Sequence, residues 1–120
     1  MGIKCSLNCH NITFEDNEVY NNHGDGISFD RNTTNSVARY NNVINETQCI
    51  FISQSHNNEI YNNTVIDCKH YGIHIFDGSI KNNIYNNTIM NSAKGLYVND
   101  NASENVFRSN RVVNCTRNQH

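Results

Sequence analysis

Apolar residues in this chain fall in short alternating runs of three to five positions, and clusters of Asn, Asp and Gly separate one run from the next. The clearest runs are Gly26-Ile27-Ser28-Phe29, Cys49-Ile50-Phe51-Ile52, Gly72-Ile73-His74-Ile75 and Gly95-Leu96-Tyr97-Val98. They set Ile27, Ile50, Ile73 and Leu96 a constant 23 residues apart. Between them lie Asn58-Glu59-Ile60-Tyr61-Asn62-Asn63-Thr64-Val65, Asn82-Asn83-Ile84-Tyr85-Asn86-Asn87-Thr88-Ile89 and the looser Asn105-Val106-Phe107-Arg108-Ser109-Asn110-Arg111-Val112. Alternation over so few positions is strand patterning, because successive side chains of a strand point to opposite faces. No window offers apolar residues at i, i+3, i+4 and i+7 for three turns, and one period is too short for a strand plus a crossover helix.

A 23-residue period narrows the solenoids. The Leu-x-x-Leu-x-Leu signature of a leucine-rich horseshoe, the Gly-Gly-x-Gly-x-Asp of a calcium-binding roll and the six-residue period of a hexapeptide helix are all missing. What remains is an all-β parallel β-helix of about five coils, each lap carrying three short strands and stacking on the next at roughly 4.8 Å. One domain over residues 1–120 is expected, a prism roughly 24 Å long. Ile27, Ile50, Ile73 and Leu96, with Phe29, Ile52, Ile75 and Val98, should face inward from the first sheet. Phe14, Ile60, Ile84 and Phe107, and Val19, Ile44, Val65, Ile89 and Val112, should fill from the other two. No capping helix is visible at either end, so the chain is expected to be part of a longer protein or to stack end to end. Met1-Gly2 fits either a natural start or excision from such a protein.

Composition sharpens this picture. Asn occupies 25 of the 120 positions and Pro none, while the net charge is only −2. Disordered chains carry higher charge or more Pro, and lack the evenly spread Ile, Val, Tyr and Phe seen here. Asn has a structural use instead. It tolerates the left-handed backbone of a tight bend, and stacked Asn amides can hydrogen-bond from lap to lap. Two such columns are expected, Asn11, Asn35, Asn58, Asn82, Asn105 and Asn17, Asn42, Asn63, Asn87, Asn110. No basic stripe points to nucleic acid. No apolar run resembles a membrane span or an intact export signal.

Five cysteines cannot all pair within one chain. Cys68 and Cys115 share a column two laps apart, too far for a bridge, and read as small buried side chains. Cys5 and Cys9, followed by His10, would form a disulfide or half a metal site, and without a second ligand pair no metal is assigned. Seven Asn-x-Ser/Thr tripeptides, at Asn11, Asn32, Asn45, Asn62, Asn86, Asn101 and Asn114, hint at export.

Function should lie on outward positions. On the first sheet these form the file Ser28, Phe51, His74, Tyr97, whose rings suit the apolar faces of sugars in a linear polymer. A cross-strand aromatic ladder that only stabilises the sheet is the alternative reading. Just past these strands Arg31, Gln54, Asp77 and Asp100 form a second file, with Asp30 and Asn99 beside it. Asp77 and Asp100 would sit one lap apart, near enough to share a proton or a calcium ion. With His74, they are the candidate catalytic groups for acid–base work on a glycan. His56 and His70 fall in loops.

The Gly-Ile-x-Ile and Asn-x-Ile-x-x-Asn-x-Val units resemble, over nearly the whole chain, the parallel β-helix repeats of the carbohydrate-binding and sugar-hydrolase superfamily, including NosD-type proteins and mannuronan C5-epimerases. The resemblance implies a right-handed coil and a polysaccharide groove on the first sheet. It also implies an exported setting, extracellular, cell-surface or periplasmic. In the epimerases catalysis centres on a Tyr-Gly-Phe-Asp-Pro-His-Glu-like segment, and Tyr71-Gly72-Ile73-His74-Ile75-Phe76-Asp77 lies in a similar frame. His74 stands where those enzymes have the catalytic Asp, and Phe76 where they have His. Tyr71 and the acidic end at Asp77 match. NosD-type proteins are associated with copper sites, and no Met-rich or Cys-His cluster here would hold copper. The reading taken is a non-catalytic or accessory module that contacts a polysaccharide through Phe51, Tyr71, His74 and Tyr97, with no cofactor required. The alternatives are a lyase, epimerase or hydrolase, and a purely structural spacer.

Overall fold

Three short strands make up each lap of the chain. The computed structural model describes residues 2–99 and 101–115. Coil one holds β1 (Ile3–Cys5), β2 (Thr13–Glu15) and β3 (Glu18–Tyr20). Coil two holds β4 (Asp25–Asp30), β5 (Val37–Arg39) and β6 (Asn42–Ile44). Coil three holds β7 (Gln48–Ser53), β8 (Glu59–Tyr61) and β9 (Thr64–Ile66). Coil four holds β10 (Tyr71–Phe76), β11 (Asn83–Tyr85) and β12 (Thr88–Met90). Coil five holds β13 (Lys94–Val98), β14 (Val106–Arg108) and β15 (Arg111–Val113). Equivalent strands pair in parallel into three five-stranded sheets, β1-β4-β7-β10-β13, β2-β5-β8-β11-β14 and β3-β6-β9-β12-β15. No helix is present among the described residues.

The 23-residue spacing becomes vertical contact. Ile27 pairs with Ile50, Ile50 with Ile73 and Ile73 with Leu96, each no more than 1% exposed. Phe29, Ile52 and Ile75 stack beside them. Full burial of each such side chain contributes about 1.5–3 kcal/mol. Glycine at the start of the first-sheet strands serves this core. A Cβ on Gly72 would lie 2.5 Å from Ile89 Cγ2 and 2.7 Å from the Gly95 carbonyl oxygen. Gly72 and Ile73 therefore both turn inward, and the ladder passes from the pair Tyr71–Lys94 directly to Ile73–Leu96. This local break in alternation sends Tyr71 outward.

Asn performs two jobs at adjacent positions. Twelve of the described Asn residues, among them Asn11, Asn35, Asn62 and Asn86, have positive φ at the corners. Eight others form ladders. In one ladder Asn17, Asn41, Asn63, Asn87 and Asn110 each hydrogen-bond the next at 3.0–3.1 Å. In the other, Ser36, Asn58, Asn82 and Asn105 are linked in the same way, and Ile12 N–H donates to Ser36 Oγ. This corrects the expected columns. Asn11 and Asn35 sit at left-handed corners one residue before the ladder, and Asn41 rather than Asn42 is the rung. The same one-residue shift puts Val43 in the core, fully buried, and Ile44 on the outside at 36% exposure.

The cysteines also depart from expectation. Cys68 is not an isolated buried thiol but bonds to Cys49, with Cα atoms 5.7 Å apart. Cys49 takes the inward position that Gly26, Gly72 and Gly95 hold in other coils, which brings its sulfur to the corner where Cys68 turns in. Cys5 and Cys9 form the second disulfide, with Cα atoms 6.0 Å apart, and Cys115 is free.

Candidate functional site

The outer face of the first sheet carries three files of side chains. The central file is Lys4, Ser28, Phe51, His74 and Tyr97, in the expected register. On one side run Asp25, Gln48, Tyr71 and Lys94, the residues that precede each inward Gly or Cys. On the other, Asp30, Ser53 and Phe76 are paired.

Coils three to five concentrate the rings. Tyr71 stacks on His74 with ring centroids 4.0 Å apart, and on Tyr97 at 5.3 Å and 28°. Phe51 and Phe76 close the other side of His74, each at 5.3 Å. His74 is thereby only 5% exposed, although it points to the outer face. Its Nδ1 lies 2.6 Å from Gln48 Oε1 and its Nε2 2.6 Å from Asn99 Oδ1. Gln48 Nε2 donates to Asp25 Oδ1 at 3.3 Å, which turns Gln48 Oε1 toward the His74 ring. Both ring nitrogens of His74 are thus engaged by side-chain amides, and its ring packs beneath Tyr71. Phe51, Tyr71 and Tyr97 are half-buried and present ring surface to solvent.

Lys94 Nζ lies over both tyrosines, 4.4 Å from the Tyr97 centroid and 5.3 Å from that of Tyr71. Beside it a shallow depression is lined by His70, Tyr71, Ala93 and Lys94. Lys94 and Gln48 escape a reading of the sequence by strict alternation, as does Asn99 in its role beside His74. The signal for the first two is the position before each inward Gly or Cys, which the break in alternation turns outward.

The other end of the face is different in character. Lys4 approaches Asp30 at 3.9 Å. Burial pushes the Asp25 carboxyl above the ordinary range, against the pull of nearby Lys4. Ser28 is 1% exposed, and its Oγ has no hydrogen-bond partner among the described residues.

The acidic candidates do not come together as a described pair. Asp77 occupies a left-handed corner, φ 51°, followed by Gly78 at φ 74°, and its Oδ2 accepts a 2.8 Å hydrogen bond from Gln54 Nε2. Asp100 lies outside the described residues. Among the described residues no group of three or more His, Cys, Asp and Glu side chains could hold a metal ion.

A second row of rings, unforeseen from the sequence, runs along the second sheet. Tyr61 and Tyr85 stack at 4.8 Å and 5°, with Arg108 over Tyr85 at 4.5 Å. Arg39 donates to Tyr61 Oη and to Glu15, and Tyr85 Oη donates to Glu59. Burial, and then the bond to Glu59, pushes the Tyr85 phenol up to about 12. Because these polar ends are paired with one another, the row stabilises its sheet.

Comparison with known proteins agrees with this architecture. No curated protein matches the chain. Two solved structures do: the periplasmic alginate epimerase AlgG, with a TM-score of 0.72 and 19% identity over 99% of this chain, and its T265N T268M double mutant, with 0.71 and 22% over 98%. In each case the chain spans 36% of the length of the other protein. The family described as "Right handed beta helix region" matches residues 1–112, and the chain belongs to that family.

Proposed function

We propose that the chain is a polysaccharide-binding β-helix module that holds an extended glycan along the outer face of its first sheet. The carrying observation is the pair Tyr71 and Tyr97, stacked on each other with Lys94 over both rings. Aromatic faces favour the apolar faces of sugar rings, and a cation beside them favours an acidic sugar. The likeness to an alginate epimerase supports a uronate polymer as the ligand. Two disulfides fit an oxidising, exported setting.

The module acts by binding and not by catalysis. Both ring nitrogens of His74 are occupied by amides, and the Asp77 carboxylate is engaged by Gln54 at a turn. Affinity electrophoresis through alginate, pectin and neutral glycans tests the reading. Retardation in the uronate gels, lost in the double variant Tyr71→Ala with Tyr97→Ala, is expected. Unchanged mobility in every gel, or full retardation of the double variant, refutes it. Product analysis after long incubation with alginate separates the enzymatic alternative. Shortened, unsaturated or epimerised chains that Asp77→Asn fails to make would replace binding with catalysis.

A further inference from the structure

The third sheet has an outer face that the glycan reading does not use. Its strand ends form an apolar file, Tyr20, Ile44, Ile66, Met90 and Val113, paired rung by rung. Tyr20 is 60% exposed, Val113 37% and Ile44 36%, whereas the corresponding outward positions of a solvated sheet are polar. The file spans about 19 Å at strand spacing. A polar file runs alongside, Glu18, Asn42, Thr64, Thr88 and Arg111. A carboxylate thus stands at one end and a guanidinium at the other, with uncharged side chains between.

We infer that this face is the contact surface for a second copy of the chain, packed antiparallel about a two-fold axis through Thr64 and Ile66. The charge pattern selects that symmetry. A two-fold along the strand direction keeps each file opposite itself and exchanges coil one with coil five. Glu18 then meets the partner copy's Arg111 twice, Tyr20 meets Val113, Ile44 meets Met90, and Ile66 meets itself, as an isologous contact requires. A two-fold along the coil axis would set Glu18 against Glu18, or against the apolar file, and is disfavoured. Other titratable groups bordering the face are Asp67, at the corner after Ile66, and Asp16, at the corner before Glu18. The Asp67 side chains of the two copies would lie near the axis and repel, which limits affinity. A patch this narrow lies at the small end of specific interfaces, so association belongs in the micromolar range or weaker.

Sedimentation equilibrium of the 120-residue chain, up to about 1 mM at low salt, tests the inference. Reversible dimers are expected. Glu18→Arg and Arg111→Glu should each weaken dimerisation roughly fivefold or more, and the two together should restore it, because the pair is rebuilt with its charges exchanged. Asp67→Asn should tighten it. Circular dichroism of each variant confirms folding, which outward positions leave intact. A chain that stays monomeric throughout overturns the inference. So does a dimer that ignores both reversals or Ile44→Asp, which would point to association through another surface, such as the first or last described coil. Failure here leaves glycan retardation by the first sheet unaffected, so the two proposals are separable.

Discussion

Replacing Asn63 with Ala removes the central rung of the longer Asn ladder. The Asn63 side chain donates to the Ala38 carbonyl at 2.9 Å and to Asn87 Oδ1 at 3.0 Å, and its own Oδ1 accepts from the Asn41 N–H and Nδ2, both at 3.0 Å. Some partners keep a second bond. Asn87 Oδ1 still receives the Asn63 N–H, and Asn41 Nδ2 still donates to the Phe14 carbonyl. The Ala38 carbonyl and the Asn41 amide lose these bonds at a site where Ala38, Asn41 and Asn63 are each at most 1% exposed. An unsatisfied buried donor or acceptor costs about 1–3 kcal/mol, so the two together should destabilise the chain by about 2–6 kcal/mol.

Position along the stack supplies the control. Asn110 makes equivalent bonds, to the Ile84 carbonyl and from Asn87, but it is half-buried in the last coil, where water can replace the lost amide. Asn110→Ala should cost about 1 kcal/mol. Urea unfolding followed by far-ultraviolet circular dichroism gives both values, and an unchanged slope verifies that whole-chain cooperativity survives, which solenoids can lose. Equal losses at Asn63 and Asn110, or a loss under about 0.5 kcal/mol at Asn63, would refute the account of Asn as a buried polar ladder.

Gly72→Ala should cost about 1–3 kcal/mol through overpacking against Ile89 and the Gly95 carbonyl, while Gly24→Ala, whose added methyl would meet nothing within 4 Å, should stay within about 0.5 kcal/mol; urea midpoints compare them. Removing the Cys49–Cys68 disulfide by double Ala substitution should lower stability by about 3 kcal/mol, against about 2 for Cys5–Cys9, because the first closes a separation of 19 residues and the second one of 4. Asp25 has a carboxyl raised by burial, so its contribution is most favourable below the unfolded value of 3.8 and is lost as pH rises through the higher folded value. Asp25→Asn should therefore stabilise the chain at pH 7 relative to its effect near pH 3, measured as the shift in thermal midpoint at the two pH values.

The frame of the solenoid was legible because stacking constrains its inward positions. Ile27, Ile50, Ile73 and Leu96 repeat without a slip, and their strands align as the period requires. Coil two resisted reading for a local reason. Asn41 and Asn42 are both Asn, and Val43 and Ile44 are both apolar, so either register satisfies composition. The left-handed corner falls on Tyr40, which no propensity favours, and it turns Asn41 and Val43 inward. The Cys49–Cys68 bond was hidden by the same geometry: partners 19 residues apart sit in different files and meet only because one lap nearly closes on itself. Outward files are bound by no comparable rule. The scaffold would accept polar side chains at Phe51, Tyr71 and Tyr97 as readily as it accepts Ser28 and Gln48 in the same files. Rings gathered there across three coils, with His74 locked beneath Tyr71, are therefore a departure that folding does not demand, and the binding reading rests on that departure.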